Sequence, residues 1–192
     1  LAIDKIGESS LLDDEIVSYD GSDGYQEVYD GVESYLRSFR EQYQKVMSYA
    51  DDSKLTTMLS VSNYSEDGPL FENSLFYLDN LSEEFSSDVD LLLSYCEESK
   101  IEEYASNLKL SNYYRELFID YVKSSKVFEQ LSNYRDTFLQ SEEEMNSVIS
   151  TSRSVLEFLK TNGNDWKIEN GEIQFSTEEL VTQYQNLVDL LL

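Results

Sequence analysis

Histidine is absent from this chain, and cysteine, proline and tryptophan each occur once among its 192 residues. Without histidine the commonest general base and transition-metal ligand is missing, which excludes Ser-His-Asp and Cys-His catalysis. One cysteine cannot complete a zinc site of the Cys/His type or an internal disulfide. Catalysis by carboxylates or tyrosines alone stays open, but the sequence predicts no enzyme, no cofactor and no metal site.

Positive charge is scarce, because 14 lysines and arginines face 39 aspartates and glutamates, for a formal net charge of −25. Nucleic acids and anionic membrane surfaces are bound through basic clusters, so direct binding to either is not expected. No apolar run approaches the length of about 18 residues that a membrane-spanning helix needs. The acidic surface would attract cations and basic proteins, although solubility or adaptation to salt also explains it.

Apolar and aromatic residues are plentiful, at 40% and 13% with 15 tyrosines, which indicates a folded rather than a disordered chain. A chain of this length can bury one core, so we predict a single domain over 1–192. Its class is mostly α: an elongated bundle of three to four long helices with one small β-hairpin at about 166–175 and a C-terminal helix. The segments are an extended lead-in or tether at 1–22, the bundle at 23–161, and the hairpin plus last helix at 162–192.

Helical periodicity begins at Tyr25 and continues to Ala50, with apolar residues spaced by three and four. The octet 62–69 reads as a loop, and Pro69 suits the first position of the helix that follows. That helix carries a heptad seam, widened by Leu70, Leu81 and Leu93. The seam consists of Phe71, Leu75, Leu78, Ser82, Phe85, Val89, Leu92 and Cys96.

A second long run starts after a charged short helix or bend at 97–110. Ser111 is predicted to cap this run, which keeps helical spacing to Lys160 without Gly or Pro. Because 50 helical residues would be about 75 Å long, we expect a bend. Ser141 and Glu144 have the spacing of a capping box, so the bend is predicted near 140.

The C-terminal segment carries the clearest hairpin signal, Asn170-Gly171 between two alternating runs. A two-residue turn would pair Trp166 with Phe175 and Ile168 with Ile173. Ser176 is predicted to cap a last helix. The apolar face of that helix consists of Leu180, Tyr184, Leu187, Val188 and Leu191.

Two features were considered as sites, a possible calcium loop around Gly68 and the single cysteine, and neither is predicted to be functional. With Gly68 at the sixth position of a calcium loop, Asn63, Ser65 and Asp67 take ligand positions, but the twelfth residue is Ser74 rather than glutamate. No dedicated calcium site is therefore predicted. Cys96 lies on an apolar stripe and is predicted to be a small buried hydrophobe rather than a reactive thiol.

Three other features each allow a structural and a functional interpretation. Paired glutamates indicate solvated helix faces, or else an acidic surface for a basic partner. Tyrosines along every helix indicate half-buried seams, or else adaptable protein-binding patches. The hairpin is expected to cover one end of the core, or else to recruit a partner strand. The glutamate clusters are Glu83-Glu84, Glu97-Glu98, Glu102-Glu103, Glu142-Glu143-Glu144 and Glu178-Glu179.

The chain begins with Leu1 rather than Met, as expected of a processed end or of one domain from a longer chain. We expect a non-enzymatic acidic helical interaction or scaffold domain, the extracytoplasmic soluble part of a secreted or membrane-anchored protein rather than a cytoplasmic one. The alternative is an intracellular acidic inhibitor or nucleic-acid mimic that blocks a basic protein site. A protein partner is expected under both hypotheses. A homo-oligomer stays open, and the partner-binding residues are not predicted.

Overall fold

The computed structural model describes residues 24–191, apart from the side chains at 127, 130–132 and 134. This part of the chain is mostly helical, as predicted, and its two short strands form one antiparallel hairpin. The predicted lead-in at 1–22 lies outside the described residues. The helices are α1 Tyr25–Ser48, α2 Ser53–Thr57, α3 Val61–Asp67, α4 Glu72–Ser94, α5 Glu98–Asn107, α6 Asn112–Ser124, α7 Lys126–Thr161 and α8 Glu178–Val188, and the strands are β1 Trp166–Glu169 and β2 Glu172–Phe175. Short 3-10 turns follow α1 at Tyr49–Asp51 and α8 at Asp189–Leu191.

The chain divides into two compact units. Unit 1 consists of Leu1–Ala50 and Ser86–Ser141, and unit 2 consists of Asp51–Phe85 and Glu142–Leu192. The boundaries between the units fall inside α4 and α7. The single domain expected from the sequence stays a prediction.

Unit 1 has an aromatic core in which α1 and α5 pack against α6. The ring of Tyr35 meets the rings of Tyr104 and Phe118 edge-on, and its hydroxyl donates to the backbone carbonyl of Tyr95 over 2.7 Å. A Cβ at Gly31 would lie 2.6 Å from a methyl group of Leu108, so the absence of a side chain permits this close packing. The central buried residues are Val28, Tyr35, Ile101, Ala105, Phe118 and Val122.

Unit 2 buries one side of the first half of α4 together with residues of α3 and α7. The predicted seam is buried at its apolar positions from Phe71 to Leu92, whereas Ser82 and Cys96 are half-buried. Leu70, which was expected to widen this face, is instead 55% exposed, because it precedes the helix. The buried apolar residues of unit 2 are Met58, Tyr64, Phe71, Leu75, Leu78, Leu81, Phe85, Met145, Ile149, Val155, Leu156 and Leu159.

The loop predicted at 62–69 is wrong for most of its length, because Val61–Asp67 is helical. Ser60 caps this helix by accepting a hydrogen bond from the backbone N–H of Asn63 over 3.2 Å. Tyr64 lies in the middle of the helix and is only 2% exposed. Burial of this ring outweighs the weak helix propensity of the surrounding Ser, Asn and Asp residues.

The start predicted for α4 at Pro69 is also wrong, because the helix begins at Glu72. Gly68-Pro69 is a cis peptide, and Phe71 has a left-handed backbone with a φ of 51°. The cap comes from Asp67, whose Oδ2 accepts from the N–H of Ser74 over 2.7 Å and whose Oδ1 accepts from the N–H of Asn73 over 3.2 Å. The helix therefore starts where a carboxylate is in reach of its free N–H groups.

The long run from Ser111 breaks at Ser125 rather than near 140. Ser125 has an extended backbone, and its hydroxyl accepts from the N–H of Phe128 over 3.2 Å, so it separates α6 from α7. Ser141 forms no cap, because it lies buried within α7 and donates to the carbonyl of Thr137 over 2.8 Å. A serine hydroxyl can cap a helix or bond to a carbonyl of its own helix. The spacing of Ser141 and Glu144 therefore did not identify the residue that interrupts the run.

The hairpin has the predicted register, with Trp166 opposite Phe175 and Ile168 opposite Ile173. Asn170 and Gly171 both have positive φ, at 55° and 80°, as a two-residue hairpin turn requires. The cap of α8 is displaced by one residue from the predicted Ser176. Thr177 accepts from the N–H of Leu180 over 3.3 Å instead.

Candidate functional site

The hairpin and α8, which we call the C-terminal module (166–191), pack on the rest of unit 2 through three aromatic residues, Trp166, Phe175 and Tyr184. The indole N–H of Trp166 donates to the carbonyl of Leu159 over 2.7 Å, and its ring stacks on Phe71. The ring of Phe175 lies beside Phe158 and Tyr184, at centroid distances of 6.0 and 5.2 Å. These contacts fix one side of the module, but none of the residues of α8 is buried.

Tyr184 sets the rotation of α8 about its axis. Its ring lies against Phe158 and Phe175, and its hydroxyl shares a hydrogen bond of 3.0 Å with the hydroxyl of Tyr64. Burial, followed by this bond, raises the pKa of Tyr64 far above its ordinary value, so that phenol stays protonated at all physiological pH values. The side of α8 that carries Tyr184 is therefore the side turned towards the core of unit 2.

A second apolar stripe runs along α8 beside Tyr184. Val181 and Val188 are seven residues apart and so lie on one side of the helix, and we call them the outer stripe. Val181 is 48% exposed and Val188 is half-buried. Val188 belongs to the apolar face predicted from the sequence, whereas Val181 does not. The 3-4-3 spacing of Val181, Tyr184, Val188 and Leu191 was the signal that could have found it.

Carboxylates border the outer stripe. Glu178 and Asp189 are eleven residues apart, which brings them close to one line on the helix, next to the two valines. Gln185 lies between them and donates from Nε2 to Oδ1 of Asp189 over 2.7 Å. The sequence has no lysine or arginine after Lys167, which pairs with Glu169 at 2.8 Å. The outer stripe is thus an apolar strip with an acidic border.

Unit 1 carries a different surface, formed by Tyr25, Tyr113 and Tyr114. The hydroxyls of Tyr25 and Tyr113 are 3.3 Å apart, and the ring of Tyr25 meets that of Tyr114 edge-on at 5.2 Å. The hydrogen bond to Tyr113, followed by the charge that Tyr113 would carry, raises the pKa of Tyr25 to about 12. Tyr113 is 60% exposed, so part of this cluster remains available to solvent.

Asp88 is the centre of a polar cluster within unit 1. Its carboxylate accepts from Lys45 over 2.8 Å, from the hydroxyl of Tyr49 over 2.6 Å and from Gln42 over 3.1 Å. Burial alone would raise the pKa of Asp88, but the bonds from Lys45, Tyr49 and Gln42 outweigh burial and lower it. The carboxylate is therefore ionised, and its oxygens already accept hydrogen bonds from three side chains, which suits a structural role.

The residues tested as a calcium loop are used within the fold. Asn63 Nδ2 donates to the carbonyl of Met58 over 2.7 Å and to Ser74 Oγ over 3.1 Å, while Asp67 caps α4. Cys96 is a free thiol and half-buried, less covered than predicted, and burial raises its pKa to about 11. Its low thiolate content fits the predicted unreactive cysteine.

The paired glutamates lie mostly in water. Glu142 and Glu144 are half-buried, whereas nine others are exposed. The exposed members are Glu83, Glu84, Glu97, Glu98, Glu102, Glu103, Glu143, Glu178 and Glu179.

No group of three or more Cys, Asp or Glu side chains in 24–191 is arranged to hold a metal ion. No helix in the same part of the chain is long and apolar enough to cross a bilayer. No family model matches the chain, and no curated protein or solved structure is similar to it.

Proposed function

We propose that this chain is a non-enzymatic acidic interaction domain whose partner is a protein with a basic surface. The observation that supports the proposal is the uneven distribution of charge. Unit 2 has 18 carboxylates and four cationic side chains, for a net charge of −14. Unit 1, over 1–50 and 86–141, has 21 carboxylates and ten cationic side chains, for a net charge of −11. Unit 2 therefore has fewer than half as many cations as unit 1 for nearly as many carboxylates.

Most cations of unit 2 already interact with other side chains of the same unit. Arg153 forms an ion pair with Asp79, and Lys167 forms one with Glu169. The ammonium of Lys54 lies 4.2 Å from the centre of the Tyr77 ring. With few cations to neutralise them, the carboxylates of unit 2 produce a negative field that would accelerate and strengthen binding of a basic protein.

The test is isothermal titration calorimetry of the whole chain with a basic globular protein. The affinity is measured at several increasing salt concentrations. We expect a complex of micromolar or tighter affinity at physiological ionic strength, where the screening length is about 8 Å. Its affinity should fall steeply with salt, because the attraction comes from exposed charges.

The control is a neutral protein of similar size, which should bind weakly at every salt concentration. A complex with the basic protein that survives only at very low ionic strength would contradict the proposal. Equal affinity for the basic and the neutral protein would contradict it as well, since charge would then play no part.

A further inference from the structure

We propose that the outer stripe of α8 docks a cationic amphipathic helix of the partner. This inference rests on the proposed function and locates it: Val181 and Val188 supply the apolar contact, and Glu178 and Asp189 supply the charge. Three properties of this face lead to the proposal: its exposure, its spacing and its electrostatic sign.

The apolar side chains of α8 are only partly covered by the rest of unit 2. Leu180, Tyr184 and Leu187 are only half-buried, although the ring of Tyr184 contacts two aromatic rings and its hydroxyl bonds to that of Tyr64. Val181 lies beside this packed face and keeps 48% of its surface in water. A partner side chain that covered Val181 would gain stability in proportion to the area removed from water.

The spacing of the stripe suits a helix. Val181 and Val188 are two helical turns apart, which is about 10.5 Å along the axis. A seven-residue spacing is the repeat by which two helices pack side by side, so one partner helix can contact both valines while Tyr184 stays packed against Phe158 and Phe175. The backbone N–H and C=O groups along this part of α8 are bonded within the helix, so a partner strand has nothing to pair with here.

The electrostatic sign selects a cationic partner. The segment from Ile168 to the end of the chain has five carboxylates and no lysine or arginine. A second copy of the chain would bring two such segments together, and like charges would oppose that association. Residues 1–23 are also acidic, with seven carboxylates and one lysine, so the chain's own N-terminal segment is repelled in the same way.

The experiment measures the affinity of the full chain for a synthetic helix-forming peptide of leucine and lysine, with leucines at helical spacing. A peptide of the same composition in scrambled order and a peptide with glutamate in place of lysine are the controls. We expect the ordered cationic peptide to bind tightest, because it alone has both the apolar strip and the positive charge.

The key variant is Val181→Gln, which removes the exposed apolar side chain and slightly favours the helix. We expect its affinity for the ordered peptide to fall roughly five- to tenfold. Val181→Ile should retain binding. Phe76→Gln is the matched control, because Phe76 is 68% exposed on α4 in the same unit, and it should leave the affinity unchanged. Leu190→Gln, in the 3-10 turn that follows α8 and 71% exposed, is the second control.

The charge arm compares two double variants that remove the same net charge. Glu178→Gln with Asp189→Asn should weaken binding and reduce its dependence on salt. Glu83→Gln with Glu84→Gln, on α4, should lower the affinity for the peptide less.

The outcomes separate this inference from the proposed function. Salt-dependent binding that ignores Val181→Gln would overturn the docking face and leave the acidic interaction domain standing. Failure of every cationic peptide and basic protein to bind would overturn both. Self-association that Val181→Gln abolishes would overturn the inference, since a second copy would then occupy the stripe.

Discussion

The two units differ in how they use ionised side chains. Among the residues described, Asp88 of unit 1 is the only buried charged side chain, and Lys45 provides its counter-charge. Unit 1 also pairs Arg37 with Glu33 and Lys123 with Glu98. Unit 2 keeps its carboxylates near the surface and has only four cations to offset 18 of them. An ionised carboxylate is therefore part of the interior of unit 1, whereas the charged pairs of unit 2 lie at its surface, where under the proposed function the excess carboxylates would face the partner.

The cores differ in a related way. In unit 1 the hydroxyl of Tyr35 is bonded inside a cluster of aromatic rings around Phe118. In unit 2 the C-terminal module leaves every residue of α8 at least partly accessible. Substitutions in the core of unit 1 should therefore change stability most, and substitutions in the C-terminal module should change it little.

The largest expected effect is that of Phe118→Ala. The side chain is fully buried and touches the rings of Tyr35 and Tyr104, so its removal leaves a cavity in unit 1. We expect the free energy of unfolding to fall by about 4 kcal/mol in urea denaturation. Tyr113→Ala, at a position 60% exposed, should cost well under half as much. Equal losses for the two variants would show that unit 1 has no tightly packed aromatic core.

Asp88→Asn should have an intermediate effect. At neutral pH the loss of the charged acceptor for Lys45, Tyr49 and Gln42 should cost about 2 kcal/mol. Because the pKa of Asp88 is lowered in the folded state, its contribution is present above the unfolded pKa of about 3.9 and is lost as the pH falls through the folded pKa.

The measurement is urea unfolding of both proteins from pH 7 down to pH 3. The stability difference between the unmodified chain and Asp88→Asn should shrink as the solution becomes acidic. Asp90→Asn, exposed on the same helix, should differ little from the unmodified chain at any pH. A difference at Asp88 that stays constant with pH would contradict the ionised cluster.

The smallest expected effect on stability is that of Gly171→Ala. Gly171 has a φ of 80°, and a Cβ there would meet nothing within 4 Å, so only backbone strain is introduced. We expect a loss of about 1 kcal/mol. Gly171→Asn should lose less, since asparagine tolerates the left-handed region better. An equal loss for both variants would indicate a steric cause that the turn does not show.

The sequence predicted the parts of the fold that depend on neighbouring residues. The spacing from Tyr25 identified α1, and Asn170-Gly171 identified the turn and register of the hairpin. The errors arose where the burial of a side chain or the exact position of a capping residue decides. Burial of Tyr64 makes 61–67 helical, and the side chain of Asp67 determines where α4 starts. Composition does not show that Tyr64 is buried, nor which of the polar residues in 62–69 caps the helix that follows.

The sequence shows that the C-terminal segment is acidic, but it does not show which side of α8 packs on the core. The paired glutamates predicted solvated helix faces or, alternatively, an acidic surface for a basic partner, and Glu178 and Glu179 are exposed, as both interpretations require. Only Glu178 lies beside the outer stripe, because Glu179 is two residues from Val181 and so lies on the opposite side of α8. The free side of α8 became visible only when the contacts of Tyr184 showed which side is packed. Spacing alone could not distinguish Leu180 from Val181, because both lie next to Tyr184 on the helix surface.

The most direct test of the account compares two triple variants that each neutralise three exposed carboxylates. One is Glu172→Gln, Glu178→Gln and Glu179→Gln in unit 2, and the other is Glu27→Gln, Glu102→Gln and Glu129→Gln in unit 1. Both variants have the same net charge. A difference between their affinities for the cationic helical peptide at physiological salt therefore reports where the neutralised carboxylates lie. We expect the unit 2 variant to bind about tenfold more weakly than the unmodified chain and the unit 1 variant to stay within about twofold. Equal losses in the two variants would contradict the account, because binding would then follow total charge alone.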